Sequence, residues 1–293
     1  MAKRKAVREQ LGLGLEASCA PFLKWVGGKR QLVPQIRALM PRKYERYIEP
    51  FVGGGALFFD VAPDASEHGP AYLGDLNEEL LTAYYGVQHN VEDVIKLLGE
   101  HKAAHCKDYY YETRACEWSP LGWDTTAARM IYLNKTCFNG LYRVNKKGRN
   151  NVTMGRYDNP TILDADALRA CAKVLRVAQA ELHHGDFKSI YNKAEKGDFV
   201  YFDPPYDVVS DTANFTAYAK EGFGAEQQTK LAELFQELTD DGVYCILSNA
   251  DTPLIRKLYE DHPIREVSRA GSVSSKPAKR QRVKELLIRG WAW

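Results

Sequence analysis

Short runs of aromatic and β-branched residues recur along the chain, and each gives way to a turn or to a segment of helical period. Arg46-Tyr47-Ile48-Glu49 runs straight into Pro50-Phe51-Val52-Gly53-Gly54-Gly55, a strand entering a glycine turn. Ala56 to Val61 supplies an apolar helix start, and Ala71 to Asp75 reads as a second strand ending on an acid, so a βαβ unit results. Helical periodicity then dominates from Asn77 to about Val94. Residues 108–159 are rich in Tyr, Asn, Gly and Arg, have weak periodicity, and read as an insertion. After Leu163 the alternation returns: a helix over Ala165 to Val177, a strand at Ala180 to His184, and a strand at Phe199 to Phe202 ending in Asp203-Pro204-Pro205-Tyr206. A helix at about Ala225 to Leu238 and a buried strand at Val243 to Leu247, closed by Ser248-Asn249, follow. The tail from Ile264 to Trp293 suggests two strands around a basic, Gly/Ser-rich loop. Strands alternating with helices predict an α/β fold with a doubly wound, mostly parallel sheet, and ligands of such sheets sit outside the carboxyl ends of the strands.

Composition narrows the classes. The 293 residues, 45% hydrophobic and 27% charged, fit a packed globular enzyme of one large domain or two. No run of 18 or more apolar residues occurs, and the opening MAKRKAVREQ has no apolar stretch of signal-peptide length, so the expectation is a cytoplasmic protein with no membrane partner. Separately, and from no feature of the sequence, the chain is expected to act as a monomer. The cysteines at 19, 106, 116, 137, 171 and 245 form no Cys-x-x-Cys pair, which predicts free thiols. His101, His105 and Cys106 could adjoin on one helix, but they fall short of four tetrahedral ligands, and no metal is expected. His183-His184 reads as a strand end.

Net charge, +2 from 40 basic and 38 acidic residues, does not announce a nucleic-acid binder, but its distribution does. Lys135, Arg143, Lys146, Lys147, Arg149 and Arg156 fall in a stretch without a single acid, and Lys276, Lys279, Arg280, Arg282 and Lys284 form a second cluster. Such segregation suits phosphate contact, although a solvated charged loop explains either run taken alone.

Two motifs carry candidate chemistry. Glycines in the turn from Glu49 to Ala56 let backbone approach a ligand closely, and Asp75, about 20 residues beyond Gly53 at the end of the next strand, can accept both hydroxyls of a ribose. The turn lacks the third glycine of G-x-G-x-x-G, so an adenosine-containing cofactor is better supported than a dinucleotide. In Asp203-Pro204-Pro205-Tyr206 two prolines end the strand, which is also what an ordinary turn would do. They also hold the Asp203 side chain and the Pro204 carbonyl as two converging acceptors beside the flat face of Tyr206. An amino group on an aromatic ring fits: two N–H donors for two acceptors, and a base plane to stack. By itself this turn serves any exocyclic amine, in DNA, in RNA or on cytosine. A DNA-binding regulator without activity is the reading of another class, and the intact set Asp203, Pro204 and Tyr206 argues against it.

Taken in order, Phe22-Leu23-Lys24-Trp25-Val26-Gly27-Gly28-Lys29, Glu49-Pro50-Phe51-Val52-Gly53-Gly54-Gly55-Ala56 and Asp203-Pro204-Pro205-Tyr206 resemble the DNA adenine-N6 methyltransferases of the Dam type, the D12 class, alpha group. The likeness spans residues 20 to 290 and includes Leu133 to Asn145 with Gly155-Arg156-Tyr157, which look like that family's target-recognition segment. The resemblance implies a Rossmann-like S-adenosylmethionine-dependent methyltransferase sheet (residues 1–80 and 164–293) with an inserted, mainly helical target-recognition domain (81–163). It implies the cofactor S-adenosyl-L-methionine, held by Trp25, Lys29, Glu49, Phe51, Gly53, Gly55, Asp75, Asp186, Phe187 and Asp203, and a catalytic turn of Asp203, Pro204, Pro205 and Tyr206. Its partner is double-stranded DNA, from which the target adenine is flipped. Phe138 and Asn139 would fill the hole left by the base, Leu141, Arg143 and Lys24 would meet base edges, and Asn145, Lys146, Lys147 and Arg149 would meet the backbone. Family members often carry Tyr where Phe138 stands, so a stacking wedge is kept without a hydroxyl, and Glu49 replaces a common Asp. The recognition segment is most like that of enzymes methylating GATC.

Overall fold

The computed structural model describes residues 19–65, 69–119, 121–206, 223–270 and 282–292. Lys276, Lys279 and Arg280 of the second basic cluster, and the first ten residues, lie outside the described residues. The strands are β1 (Tyr47–Glu49), β2 (Tyr72–Asp75), β3 (Glu181–His184), β4 (Phe199–Phe202), β5 (Tyr244–Ala250), β6 (Ile264–Ala270) and β7 (Arg282–Arg289). The helices are α1 (Val33–Leu39), α2 (Phe58–Ala65), α3 (Glu78–His89), α4 (Val91–Ala104), α5 (Lys107–Ala115), α6 (Trp123–Thr136), α7 (Ala165–Val177), α8 (Ala225–Asp240) and α9 (Pro253–Leu258).

The strands form a seven-stranded sheet in the order β3-β2-β1-β4-β5-β7-β6, the expected Rossmann-like α/β class. β1 pairs in parallel with β2 and β4, and β4 with β5, setting Phe202 opposite Leu247. β7 runs antiparallel to both β5 and β6, the two-stranded tail expected from the sequence. Every residue of β1 and β4 is buried. This is why β4 and the Tyr47-Ile48 part of β1 read as hydrophobic runs without alternation.

Helix starts follow local chemistry. Asn77 Oδ1 accepts the Leu80 N–H at 3.1 Å ahead of α3, Asp164 Oδ1 that of Ala167 at 3.1 Å ahead of α7, and Thr252 Oγ1 that of Ile255 at 3.2 Å ahead of α9. The α7 helix buries Leu168, Cys171, Ala172 and Leu175, a stripe at helical spacing. Two expectations are corrected. The period from Asn77 to Val94 belongs to two helices, because Asn90, at φ −126° and ψ 36°, leaves the helical region and ends α3 as α4 begins. The weakly periodic stretch from 108 holds α5 and α6, and α6 buries its side chains on every face, polar Thr126, Arg129 and Asn134 included, which erases the amphipathic signal.

The chain divides into two compact units, one of residues 1–28, 52–70 and 75–184, the other of 29–51, 71–74 and 185–293. In the first, α6 packs on α3 and α4. In the second, the core joins β1, β4, β5 and β7 to α8 through Ile48, Val200, Phe202, Phe235, Leu247 and Leu286. Among the described residues no helix is long and apolar enough to cross a membrane.

Candidate functional site

The order of the strands reverses between β1 and β4, and both of their carboxyl ends belong to the second unit, at Glu49 and at Asp203. Here a doubly wound sheet opens a crevice. Asp203 Oδ1 takes two contacts, the Lys29 ammonium at 2.7 Å and the Ser248 hydroxyl at 3.0 Å. Neither involves Oδ2. Tyr201 extends the chain, its hydroxyl 2.9 Å from Ser248 Oγ. Withdrawal from water raises the Asp203 pKa above the ordinary carboxylate range, while the Lys29 charge and the Ser248 hydrogen bond pull it down. Lys29, only 3% exposed, also stands 4.4 Å from the centre of the Tyr206 ring.

Tyr206 is fixed from the far side of the sheet. Its hydroxyl donates to Glu285 Oε2 at 2.6 Å, and Glu285, fully buried on β7, lies in register with Ala250 of β5 and Val267 of β6. Burial, and after it the charges of Asp203 and Glu285, push the phenol well above its usual pKa, so it stays a donor. The Pro205 carbonyl accepts from Gln228 Nε2 at 3.0 Å, and Gln228 Oε1 accepts from Asn249 at 3.0 Å, so α8 and β5 both brace the turn. Pro204 is buried beside them.

Phe51 and Phe187 stack with ring centres 5.5 Å apart, and Phe223 closes the group at 5.6 and 5.7 Å. Phe187 is 3% exposed, placed as a core aromatic would be, with faces turned to other rings. Asp186 precedes it on the surface, its Oδ1 accepting the Lys188 N–H at 2.9 Å. Glu49 is buried in β1 and accepts from the Tyr47 hydroxyl at 2.7 Å.

The first unit holds the glycines of the turn and the stretch Leu133 to Arg156. Gly53 and Gly55 adopt φ of +46° and +65°, and a Cβ on Gly53 would stand 2.6 Å from Trp25 Cδ1. Close approach here serves an indole. The Gly53 N–H donates to Asp75 Oδ2 at 3.0 Å, the Asn77 N–H to Asp75 Oδ1 at 2.9 Å, and the Gly53 carbonyl accepts from Tyr84 at 3.1 Å. Burial raises the Asp75 pKa against these backbone donors.

Phe138 is 47% exposed, and Asn139 takes a left-handed φ of 57°, so both project at a sharp turn. Leu141 is half-buried, and Arg143 is exposed with its Nε donating to Asn151 Oδ1 at 2.6 Å. Asn145 Oδ1 accepts the N–H groups of Lys147 and Arg149, at 2.9 and 3.2 Å, which curls the chain so that Lys146 and Lys147 point to solvent. Arg149 is also exposed and pairs with Glu117. Lys24 is held through its backbone: its N–H donates to Asn134 Oδ1 at 2.9 Å, and Asn134 Nδ2 donates to the carbonyls of Lys24 at 2.8 Å and Gly140 at 3.1 Å. One buried amide thereby joins Lys24 to the Phe138 turn.

Sequence reasoning missed Glu285, Ser248, Gln228, Asn134 and the pair Glu79–Arg129. The one local signal was an acid next to the apolar run Leu286 to Ile288 of β7. His101 and His105 bond to Tyr109 and Tyr132, and among the described residues no group of His, Cys, Asp and Glu is arranged to hold a metal ion. All six cysteines are free thiols.

The family model described as D12 class N6 adenine-specific DNA methyltransferase matches residues 25–273. The chain is 40% identical over 272 residues to Type II methyltransferase M1.LlaDCHI of Lactococcus lactis subsp. cremoris, with 92% of this chain and 94% of the relative covered. It is 37% identical over 286 residues to Type II methyltransferase M.MjaIII of Methanocaldococcus jannaschii, with coverages of 92% and 98%. It is 34% identical over 268 residues to the DNA adenine methylase of Escherichia coli K12, with coverages of 91% and 93%. With the motifs, the sheet and these likenesses in agreement, the chain belongs to the D12 class of N6 adenine-specific DNA methyltransferases and acts on adenine in DNA.

Proposed function

We propose that the methyl donor is S-adenosyl-L-methionine, that the adenine is flipped out of duplex DNA to be methylated, and that the site is GATC. The observation that carries this reading is the Asp203 carboxylate, engaged through Oδ1 alone among the described residues, at the switch point of the sheet and beside a phenol whose hydroxyl is anchored to Glu285. The residues fit the donor's chemistry. Asp75 is a carboxylate suited to ribose hydroxyls, the buried Asn77 Nδ2 near it makes no hydrogen bond among the described residues, and a ribose oxygen would satisfy it. Asp186 offers an exposed carboxylate to an amine, and half-buried Phe51, backed by the buried Phe187 ring, supplies aromatic surface. Trp25, Lys29, Glu49, Gly53 and Gly55 complete the proposed donor set. When bound, the donor supplies an electrophilic sulfonium methyl.

The chain's own work is positioning and electrostatics. Adenine N6 is a weak nucleophile because its lone pair is delocalised into the ring. Asp203 Oδ2 and the Pro204 carbonyl accept its two hydrogens, which draws the nitrogen toward a tetrahedral shape and localises the pair for in-line attack. Lys29 and Ser248 favour the ionised form of Asp203. Tyr206 stacks on the base, offsetting by about 1–3 kcal/mol the cost of taking it out of the helix.

Residues 81–163 serve as the target-recognition segment in this reading. Phe138 and Asn139 wedge into the vacated position, Leu141, Arg143 and Lys24 read base edges, and Asn145, Lys146, Lys147 and Arg149 meet phosphates. Expressing the gene in a host without adenine methylation and digesting its plasmid with methylation-sensitive endonucleases tests the target: protection confined to GATC is expected, and modification at another sequence removes that part. Tritium transfer from labelled S-adenosylmethionine to duplex DNA tests the donor, and no transfer with folded protein rejects it.

A further inference from the structure

Tyr142 sits between Leu141 and Arg143, the residues assigned to base edges, yet its side chain turns toward the other motif of the first unit. Its ring stacks on Trp25, with centres 5.4 Å apart and planes 25° from parallel. The Trp25 ring is in turn what forbids a Cβ at Gly53, whose N–H holds Asp75. The Tyr142 hydroxyl donates to Glu79 Oε2 at 2.7 Å, and Glu79 Oε1 accepts from Arg129 at 2.5 Å. Arg129 is immobilised further, donating to the carbonyls of Thr113 and Arg114 at 3.1 Å each. Glu79 and Arg129 are 3% and 4% exposed, so the phenol is tied to a fixed, dry anchor.

We propose that Tyr142 is a positioning residue that couples the base-reading segment to the donor side of the glycine turn, so that filling either one tightens the other. The proposal rests on the donor and recognition roles argued above. A phenylalanine would stack equally well on Trp25, but it would leave Glu79 Oε2 facing an apolar edge. The hydroxyl fixes the height of the ring, and the ring fixes the indole. Any adjustment of Trp25 to a bound ligand therefore reaches the Tyr142 backbone, one peptide bond from Arg143. Contiguous packed contacts between rigid anchors carry coupling of this kind, and such coupling is reciprocal.

The test measures the dissociation constant of a duplex carrying the methylated sequence, without and with saturating S-adenosylhomocysteine, and takes the ratio. For the unsubstituted protein the ratio should be about fivefold or more. In Tyr142→Leu, which loses stack and hydrogen bond, it should fall toward unity. In Tyr142→Phe, which keeps the stack, it should lie between. A merely structural tyrosine would change both constants and leave the ratio alone, and an unchanged ratio in either variant overturns the proposal. Should Tyr142→Leu not fold, Tyr142→Phe decides alone. Calorimetry of S-adenosylhomocysteine with the unsubstituted protein separates the two levels: no binding overturns the donor reading and the coupling with it, whereas binding with a ratio of one overturns the coupling only.

Discussion

The Asp203 to Tyr206 turn and the Phe138 to Arg149 segment are both short, proline- or glycine-marked stretches, but they are organised in opposite ways. In the turn, side chains are held by side chains: Asp203 by Lys29 and Ser248, Tyr206 by Glu285, and the Pro205 carbonyl by Gln228. In the proposed recognition segment the backbone is held and several side chains are left to solvent, although Arg143, Arg149 and Tyr142 keep partners in Asn151, Glu117 and Glu79. Asn134 grips the carbonyls of Lys24 and Gly140, and Asn145 curls the loop, while Lys24, Phe138, Lys146 and Lys147 face water. Stabilising charge as it develops requires dipoles already in place and shielded from solvent. Reading DNA requires groups that exchange water for bases and phosphates, so order is invested one step back, in the main chain.

The contrast breaks most visibly at Asp203. Asp203→Ala should lower kcat by about a thousandfold, the scale of losing one preorganised electrostatic partner, while duplex affinity by filter binding stays near that of the unsubstituted protein. Equal loss of affinity would place Asp203 in the DNA interface and dissolve the distinction. Next in size is Arg129→Met, which leaves the Glu79 carboxylate buried without its cation. A stability loss of about 3–5 kcal/mol in urea unfolding is expected. Burial already raises the Glu79 pKa, and losing Arg129 raises it further. An acid with a raised folded pKa destabilises where the unfolded chain would be ionised, so the deficit should shrink as pH falls through the variant's raised folded value. A deficit that stays constant with pH would point to lost packing.

Much of the second unit was legible in advance, because its burial is written in residue type. The runs of β4 and of β5 from Tyr244 to Leu247 are hydrophobic, and two prolines after β4 mark the end of the strand beside an acid. Residues that hold the turn were not legible. Glu285 is one acid beside Lys284 in a strand of mixed basic and apolar residues, and its partner Tyr206 stands 79 positions away in the chain. Gln228 reads as the polar face of an amphipathic helix until Asn249 and the Pro205 carbonyl are placed beside it. In the first unit the difficulty is greater. Arg129 and Asn134 break the periodicity of α6, and only the folded contacts with Glu79 and Lys24 show that they belong inside.

A smaller effect sharpens the role of Lys29. In the proposed mechanism Asp203 acts ionised, and desolvation raises its pKa, so kcat/KM should climb as pH rises through that value. Lys29→Met removes the charge that opposes the rise, and the acid limb of the profile should move to higher pH. A limb that stays in place would mean that the 2.7 Å contact does not set the ionisation of Asp203.

The finest distinction lies within the recognition segment itself, between Arg143 and Lys147. Arg143 is oriented by Asn151, and a guanidinium held in one plane can present two parallel donors to a guanine edge. Arg143→Ala should cost about 1–3 kcal/mol of discrimination at one base pair and little at the others. Lys147 donates its backbone N–H to Asn145, and its side chain is exposed, an arrangement that places a point charge without directing it. Lys147→Ala should therefore weaken every duplex alike and reduce the slope of log affinity against log salt by about one. Both variants belong in one titration series over single-base variants of the target at several salt concentrations. If Arg143→Ala instead lowered all affinities together and lessened the salt slope, the guanidinium would be a phosphate contact, and orientation by Asn151 would not be enough to make a base reader.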